Sequence, residues 1–305
     1  MAPSRVGVVI VNWNGTVCTL ECLRSLAAAT HPSVIPVVAD NASPEDPEPA
    51  LRAEFPAVRV VRLPRNRGFA AGCNAGAAAA LDGGADHLLF LNNDTQVEPD
   101  AIAALVAASE RYPSAILAPK IVYAGEPGRV WSAGGIVERP WMVNRHVGEG
   151  EPAERHLESR RVDWATGCAL FVSADTYRRL GPFDESYFMY LEDLDWCLRG
   201  AGMGIETRLV ADAVIRHEVS SSAGRMPRPS VLYYGCRNTY RVAFRHNAGT
   251  RRLRMAWSVA VTVVRLGLRN AFWPGRRTDP MYRARTRAIL DFVRGRTGPL
   301  MVPEP

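Results

Sequence analysis

The chain has 305 residues, 47% of them apolar, and a net charge of +6. That is enough apolar material for a substantial core, arranged as one large domain or a core with an appendage, and it excludes a chain too polar to fold around one. The six cysteines, Cys18, Cys22, Cys73, Cys168, Cys197 and Cys236, show neither zinc nor disulfide spacing, which excludes a disulfide-stapled scaffold.

Reduced, packing cysteines are expected in a cytoplasmic protein. The first residues lead straight into a strand too short for a signal-peptide core. The longest later apolar stretch, residues 255–264, is shorter than the ~20 residues of a membrane span. The positive charge is concentrated in the last quarter and favours an anionic partner: nucleotide, lipid headgroup or nucleic acid.

Residues 6–11 read as a buried strand that stops at Asn12-Trp13-Asn14-Gly15, before a helix with Leu20, Leu23 and Leu26 inside. Residues 34–39 form a second strand, ending at Asp40-Asn41-Ala42-Ser43. Residues 58–63 form a third, ending at Arg65-Asn66-Arg67-Gly68, and residues 68–81 an Ala-rich helix. Residues 88–91 form the fourth. It is wholly apolar, lacks the alternation of a half-wet strand, and stops at Asn92-Asn93-Asp94. Pro99 then starts a helix over residues 101–108, which puts Asp94 on a short loop between strand and helix. This alternation predicts a parallel sheet with right-handed crossovers. The clusters at Asn12, Asp40, Asn66 and Asp94 line its carboxyl edge, where open α/β sheets bind ligands.

The crevice lacks the G-x-G-x-x-G turn of a dinucleotide site and the Walker phosphate loop. Gly68, Gly72 and Gly76 read either as one helix face packed on a neighbour or as close approach to an anionic ligand at Gly68.

Residues 115–123 are a strand, and residues 125–150 a hairpin plus a loop in which Trp131 and Trp141 are either core or substrate platform. Residues 149–161 are charged and expected to be exposed. Residues 163–172 read as a strand entered through the small-residue turn after Trp164. Residues 203–216 form a strand or hairpin that ends at His217, before Ser220-Ser221-Ser222. Helices follow over 231–245, 251–271 and 281–293, with a break at Trp273-Pro274. The basic tail, with Trp257, either forms a helical hairpin with a solvated face or lies at a membrane surface.

Three carboxylates stand close together at Glu192, Asp193 and Asp195. Asp195 can complement a helix dipole or pair with Arg199. Glu192 and Asp193 follow Tyr187, Phe188, Met189, Tyr190 and Leu191, an apolar setting that can raise a carboxyl pKa toward that of a useful base. Asp94 taken alone reads as a cap or as a ligand. His217 is its natural partner around Mn²⁺ or Mg²⁺ with phosphate oxygens.

Together these pieces resemble family 2 glycosyltransferases of the GT-A fold. The pieces are Val11-Asn12-Trp13-Asn14-Gly15, Asp40-Asn41-Ala42-Ser43, residues 65–74, Leu91-Asn92-Asn93-Asp94-Thr95, Gly167-Cys168-Ala169-Leu170-Phe171 and residues 183–199. The rhamnosyltransferase-like branch is the most similar. The resemblance implies a GT-A domain over residues 1–225 and a basic, amphipathic helical region over residues 226–305. It implies a donor pocket of Val11, Asn12, Asn14, Asp40, Asn66, Gly68, Asn74, Asn92, Asn93, Trp164 and Gly167, with Asp40 holding the base of a nucleotide-diphosphate sugar. Asn92-Asn93-Asp94 stands where the D-x-D motif is found, with Asn at two of the three positions, so Asp94 and His217 would hold the divalent metal (Mn²⁺ or Mg²⁺). Asp193 stands at the general base, with Glu192 beside it, for an inverting transfer. The implied donor is dTDP-rhamnose, and the acceptor is a glycan, lipid-linked or small-molecule hydroxyl, with no nucleic acid as partner. A cytoplasmic enzyme results, with peripheral contact at the inner face of the membrane as one reading of the tail. Two rivals are a nucleotidyltransferase making nucleotide-sugars, which lacks its Gly-rich loop and lysine here, and a non-catalytic nucleotide-sugar or glycan-binding module.

Overall fold

Successive residues of the central strands face opposite layers, and both layers are apolar. Val9, Val37, Leu88, Phe90, Leu170 and Val172 belong to one core, while Val8, Ile10, Val38, Leu89, Leu91 and Phe171 belong to the other. Such strands are stable only when covered on both sides. The computed structural model describes residues 2–126, 128–218, 229–272 and 278–300.

Strand β1 (Val6–Asn12) is followed by α1 (Thr16–Ala27), β2 (Val34–Asp40), α2 (Glu48–Glu54), β3 (Arg59–Arg62), α3 (Phe69–Asp82) and β4 (His87–Asn92). Then come β5 (Thr95–Val97), α4 (Ala101–Arg111), β6 (Ile116–Tyr123), β7 (Val130–Ser132), β8 (Gly135–Glu138), β9 (Val143–His146) and β10 (Arg161–Val162). β11 (Ala169–Ser173), α5 (Ala174–Leu180), α6 (Glu192–Gly202) and β12 (Thr207–His217) complete the α/β part. The C-terminal helices are α7 (Pro229–His246), α8 (Gly249–Phe272) and α9 (Pro280–Val293).

The sheet runs β10-β12-β6-β11-β4-β1-β2-β3, with β5 paired to β12 and β7 to β6. The block β4-β1-β2-β3 is parallel, and β11 runs antiparallel between β4 and β6. The expected mostly parallel sheet is therefore present. Helices α1, α2 and α4 supply residues to one core. Helices α3, α6 and α7 supply the other, where Val242 and Ala243 join Trp196 and Phe90. Helices α7 and α8 thus share the core of the α/β part, while Ala284 and Ala288 of α9 pack with Tyr233 and Tyr234 of α7. The expected boundary between residues 225 and 226 lies outside the described residues, as do Ser220-Ser221-Ser222 and the break at Trp273-Pro274.

Three expectations are corrected. Asp94 does not pass straight into a helix, because β5 intervenes and pairs with β12. Residues 163–168 are a turn, and the strand begins at Ala169, because the small residues there fold back over α6. Within the charged stretch 149–161, His156 is buried, with its carbonyl accepting from the Lys120 ammonium at 3.3 Å.

The glycines of α3 resolve in favour of packing. A Cβ at Gly72 would lie 2.7 Å from Val11 Cγ1, and one at Gly76 would lie 2.3 Å from Val9 Cγ1. Gly68 has φ +89°, and a Cβ there would meet the Phe188 carbonyl oxygen at 2.1 Å. Phe69 N–H donates to that same oxygen at 2.7 Å, so the first N–H of α3 is taken by the chain itself. Gly76→Ala should overpack the α3–β1 contact and cost about 1–3 kcal/mol, read as a lower urea midpoint at unchanged m-value.

Candidate active site

The carboxyl edge of the sheet gathers most of the residues singled out above. Thr95 of β5 stands opposite His217 of β12, and Glu218 N–H donates to the Asp94 carbonyl at 2.9 Å. This ladder brings two distant segments together, and Asp94 Oδ1 lies 3.2 Å from His217 Nε2 with both side chains buried. Trp131 sets its ring against His217 with centroids 4.6 Å apart, and against His146 at 4.5 Å. Burial, with His217 adding, pushes the His146 pKa down to about 4, so that ring is neutral near pH 7. Its Nδ1 lies 2.8 Å from Ser132 Oγ.

An anionic oxygen and an imidazole nitrogen held at this spacing suit a divalent ion whose other ligands come from phosphate and water. Among the described residues no third His, Cys, Asp or Glu joins them.

Asn12 and Asp40, at the ends of β1 and β2, form a buried network. Asn12 Nδ2 donates to Asp40 Oδ1 at 2.8 Å, and its Oδ1 accepts from Thr19 Oγ1 at 3.0 Å. Ser43 Oγ donates to Asp40 Oδ1 at 2.6 Å, and Asn14 N–H donates to Ser43 Oγ at 2.9 Å. The Asp40 carboxylate is fully buried and shapes the 41–43 turn, with its Oδ2 accepting Ser43 N–H at 3.1 Å. Trp13 and Asn14, on the rim above, are exposed. Asn93 Nδ2 closes this side by donating to the Gly15 carbonyl at 3.2 Å, while the half-buried Asn92 ends β4 and receives Thr95 Oγ1 on its carbonyl at 2.7 Å. Asn41, given no role above, ties the edge together: its Nδ2 donates to the Gly68 carbonyl and its Oδ1 accepts Arg67 N–H, each at 2.9 Å. Asn66 Oδ1 accepts Gly68 N–H at 2.9 Å within the same loop.

The third element is the acidic pair at the start of α6. Asp193 Oδ2 accepts Gly167 N–H at 2.7 Å, and its Oδ1 accepts Leu194 N–H at 2.7 Å. The neighbouring Cys168 carbonyl receives Asn92 N–H at 2.9 Å. One tight turn therefore holds Asp193 on one side and the end of β4, next to Asp94, on the other. Burial raises both acidic groups. Glu192 lies well above the usual carboxylate range, with the charge of Asp193 adding to the burial. Asp193 is raised by burial and pulled back by its N–H donors. Glu192 Oε2 is buried and finds no hydrogen-bond partner among the described residues. Of the two, Glu192 is raised the further, and Asp193 has the N–H donors that favour its charged form.

The approach to this pair is strained. Phe188, Tyr190 and Leu191 have φ of +67°, +67° and +69°. For residues with a Cβ each such angle costs roughly 1–2 kcal/mol. The loop is held by two buried residues of α7. Asn238 Nδ2 contacts the carbonyls of Tyr187, Met189 and Tyr190 at 3.0, 2.8 and 2.9 Å. Arg237 Nη2 donates to the Tyr187 carbonyl at 2.9 Å, and its Nη1 to that of Gly298 at 2.8 Å. Asp195, fully buried, accepts from Tyr187, Arg199 and Arg245 and faces His246 Nε2 at 2.8 Å. Its role is to join α6 to α7.

Several implied pocket residues make close contacts with the chain itself. Asn74 clamps the main chain of Phe183, donating to its carbonyl at 3.0 Å and accepting its N–H at 2.9 Å. Trp164 is 3% exposed and packed on Gly135, where even a Cβ would meet its Nε1 at 1.9 Å. Val11 packs on Gly72, and Gly68 faces Phe188. Gly167 belongs to the site through its N–H. A cleft lined by Arg139, Arg161, Asp163, Leu198 and Glu206 opens at the far end of α6, away from Asp193.

The family model described as "Glycosyl transferase family 2" matches residues 7–167, more than half of the chain. The chain belongs to glycosyl transferase family 2. Its relatives put it in the rhamnosyltransferase-like branch. It is 28% identical over 266 residues to the N-acetylglucosaminyl-diphospho-decaprenol L-rhamnosyltransferase of Mycobacterium tuberculosis, covering 78% of this chain and 83% of the relative. It is 23% identical over 244 residues to the dTDP-rhamnosyl transferase RfbF of Shigella flexneri, covering 78% and 79%. Among solved structures, the mannosyltransferase PcManGT of Pyrobaculum calidifontis, in complex with GDP-Man and Mn²⁺, superposes with a TM-score of 0.58 at 16% identity, covering 96% of this chain and 89% of that one. The fold is GT-A, and this family 2 member is a glycosyltransferase. No helix among the described residues is long and apolar enough to cross a membrane.

Because both acidic groups of the pair hold protons more tightly in the folded chain, the folded state binds more protons than the unfolded one above the ordinary carboxylate range. Stability therefore falls as pH rises from that range through the raised pKa of Glu192. Glu192→Gln should remove this loss and raise Tm by at least about 2 °C at pH 8, with little change at pH 4, in parallel melts. Asn238→Ala should leave the Met189 and Tyr190 carbonyls short of this donor and cost about 1–3 kcal/mol, while kcat falls more than donor KM rises.

Proposed function

We propose that this family 2 glycosyltransferase moves L-rhamnose from dTDP-rhamnose to a hydroxyl of a glycan, lipid-linked or small-molecule acceptor, with inversion. The reading is carried by one juxtaposition: the Asp94–His217 pair and the Asp193 carboxylate flank a single turn at Gly167-Cys168. The names of two relatives favour rhamnose, one favours dTDP as carrier, and one favours an N-acetylglucosaminyl-diphospho-decaprenol type of acceptor.

In this reading Asp94 and His217 would hold Mn²⁺ or Mg²⁺, which when bound would supply positive charge for the leaving diphosphate. Asp193, ionised and aimed by Gly167 N–H, takes the proton of the acceptor hydroxyl, a step worth about 10²–10⁴ in rate. The acceptor oxygen forms its bond to the anomeric carbon as the bond from that carbon to the diphosphate oxygen breaks, and the electron pair leaves with the dTDP. One base and no nucleophilic carboxylate make this a single displacement. Glu192, protonated and buried, keeps a second negative charge away from the attacking oxygen. Asn12, Asp40 and Asn93 shape the donor pocket from behind, and Asn14 and Trp13 form its rim.

The first test is thermal unfolding with dTDP, UDP or GDP, each with and without Mn²⁺. A ligand at a hundred times its Kd adds about 2.7 kcal/mol, or several degrees at ~2–4 °C per kcal/mol. The expected result is a Mn²⁺-dependent shift with dTDP; no shift with any nucleotide would remove the donor-site reading. Asp193→Asn should keep that shift and lose sugar transfer, and normal turnover would strike Asp193 from the role of base. His217→Ala should raise the Mn²⁺ concentration for half-maximal activity at least about tenfold, and an unchanged titration would remove it as a ligand.

A further inference from the structure

Helix α8 carries two apolar faces, and the described residues cover only one. Met255, Val259 and Leu266 point inward and are buried, with Met255 in the same core as Val242 and Ala243. Asn247, two residues before the helix, anchors it by donating to the Pro140 carbonyl at 2.8 Å and contacting Met255 Sδ at 3.5 Å. On the opposite side Leu253, Trp257, Val264 and Leu268 are 70%, 74%, 61% and 54% exposed. At about 100° per residue these four, with Ala260, fall within a quarter-turn stripe running the length of the helix. A solvated helix needs a single apolar stripe; a second one, facing out, marks an interaction surface.

The charges say what kind of partner fits. The helix contains no Asp or Glu, and Arg251, Arg252, Arg254, Arg265 and Arg269 are exposed. Arg254 and Arg265 fall on one shoulder of the stripe, next to Trp257 and Leu268. None of the five makes an ion pair with a described residue. An apolar stripe with a Trp and a basic shoulder matches the headgroup region of an anionic bilayer, where the Trp sits at the boundary and the guanidinium groups meet phosphate. A second copy of the same helix would instead bring arginine rows together without a carboxylate on the helix to answer them.

We propose that α8 is a membrane-docking helix that lays Leu253, Trp257, Val264 and Leu268 into an anionic lipid surface, with its arginines on the headgroups. This does not depend on the identity of the donor or the acceptor, because vesicle binding and nucleotide binding are read separately. The test is flotation of the full-length protein with phosphatidylcholine vesicles, with and without phosphatidylglycerol, at low and high salt, alongside light scattering. Wild-type protein should float with the phosphatidylglycerol vesicles and much less with phosphatidylcholine alone, and salt should weaken the binding. The triple variant L253S/W257S/V264S should bind at least about tenfold less while keeping the wild-type Tm. No flotation of the wild type, equal flotation of the variant, or a wild-type dimer that the variant turns into a monomer without any vesicle binding would overturn the proposal.

Discussion

The site depends on a three-residue strand. β5 pairs antiparallel with the end of β12, placing Thr95 opposite His217 and Asp94 beside it. Few backbone hydrogen bonds are involved, but they fix which residue of a long strand ends at the carboxyl edge of the sheet. A slip of one residue would turn His217 to the other face and leave Asp94 with Arg216 or Glu218 as neighbour. Trp131 backs the same histidine from β7. The neutral His146 behind it adds no competing positive charge near pH 7.

On the other side of the Gly167-Cys168 turn the difficulty is electrostatic. Two adjacent carboxyls start α6 in a dry setting, which is unfavourable if both are charged. The main chain separates their roles by giving N–H donors to Asp193 and leaving Glu192 Oε2 without one. The preceding loop pays for that placement with three left-handed residues. Asn238 and Arg237 offset the strain by collecting its carbonyls. Helix α7 is therefore part of how Asp193 is positioned, as well as packing on the core.

Most of this edge was legible in the sequence. Apolar runs ending in Asn12, Asp40 and Asn92 announce buried parallel strands, and carboxylates or a histidine at strand ends announce a site. What was not legible depends on contacts across the chain. β5 is too short to show a period, so the Asp94–His217 approach could be guessed only from chemistry. Asp40 and Asn74 carry the same polar side chains whatever they face, and only packing shows that Asp40 is fully buried and that Asn74 clamps the Phe183 main chain. Asn238 stands mid-helix beside Arg237, and a buried Arg-Asn pair hints at a role without saying which loop it holds. Gly72 and Gly76 were ambiguous until β1 was seen pressed against them.

The start of α3 has a wider consequence. In many α/β crevices a helix N-terminus offers its free N–H groups to a phosphate. Here the Phe188 carbonyl already takes the first of those groups, the Phe69 N–H, with Gly68 kept bare to admit it. This helix therefore brings less positive charge to a bound diphosphate than a fully free N-terminus would. If the Asp94–His217 pair supplies that charge through an ion drawn from solution, the free concentration of that ion becomes a second input to the rate alongside the donor. The enzyme would then slow under ion depletion even when both of its substrates are plentiful.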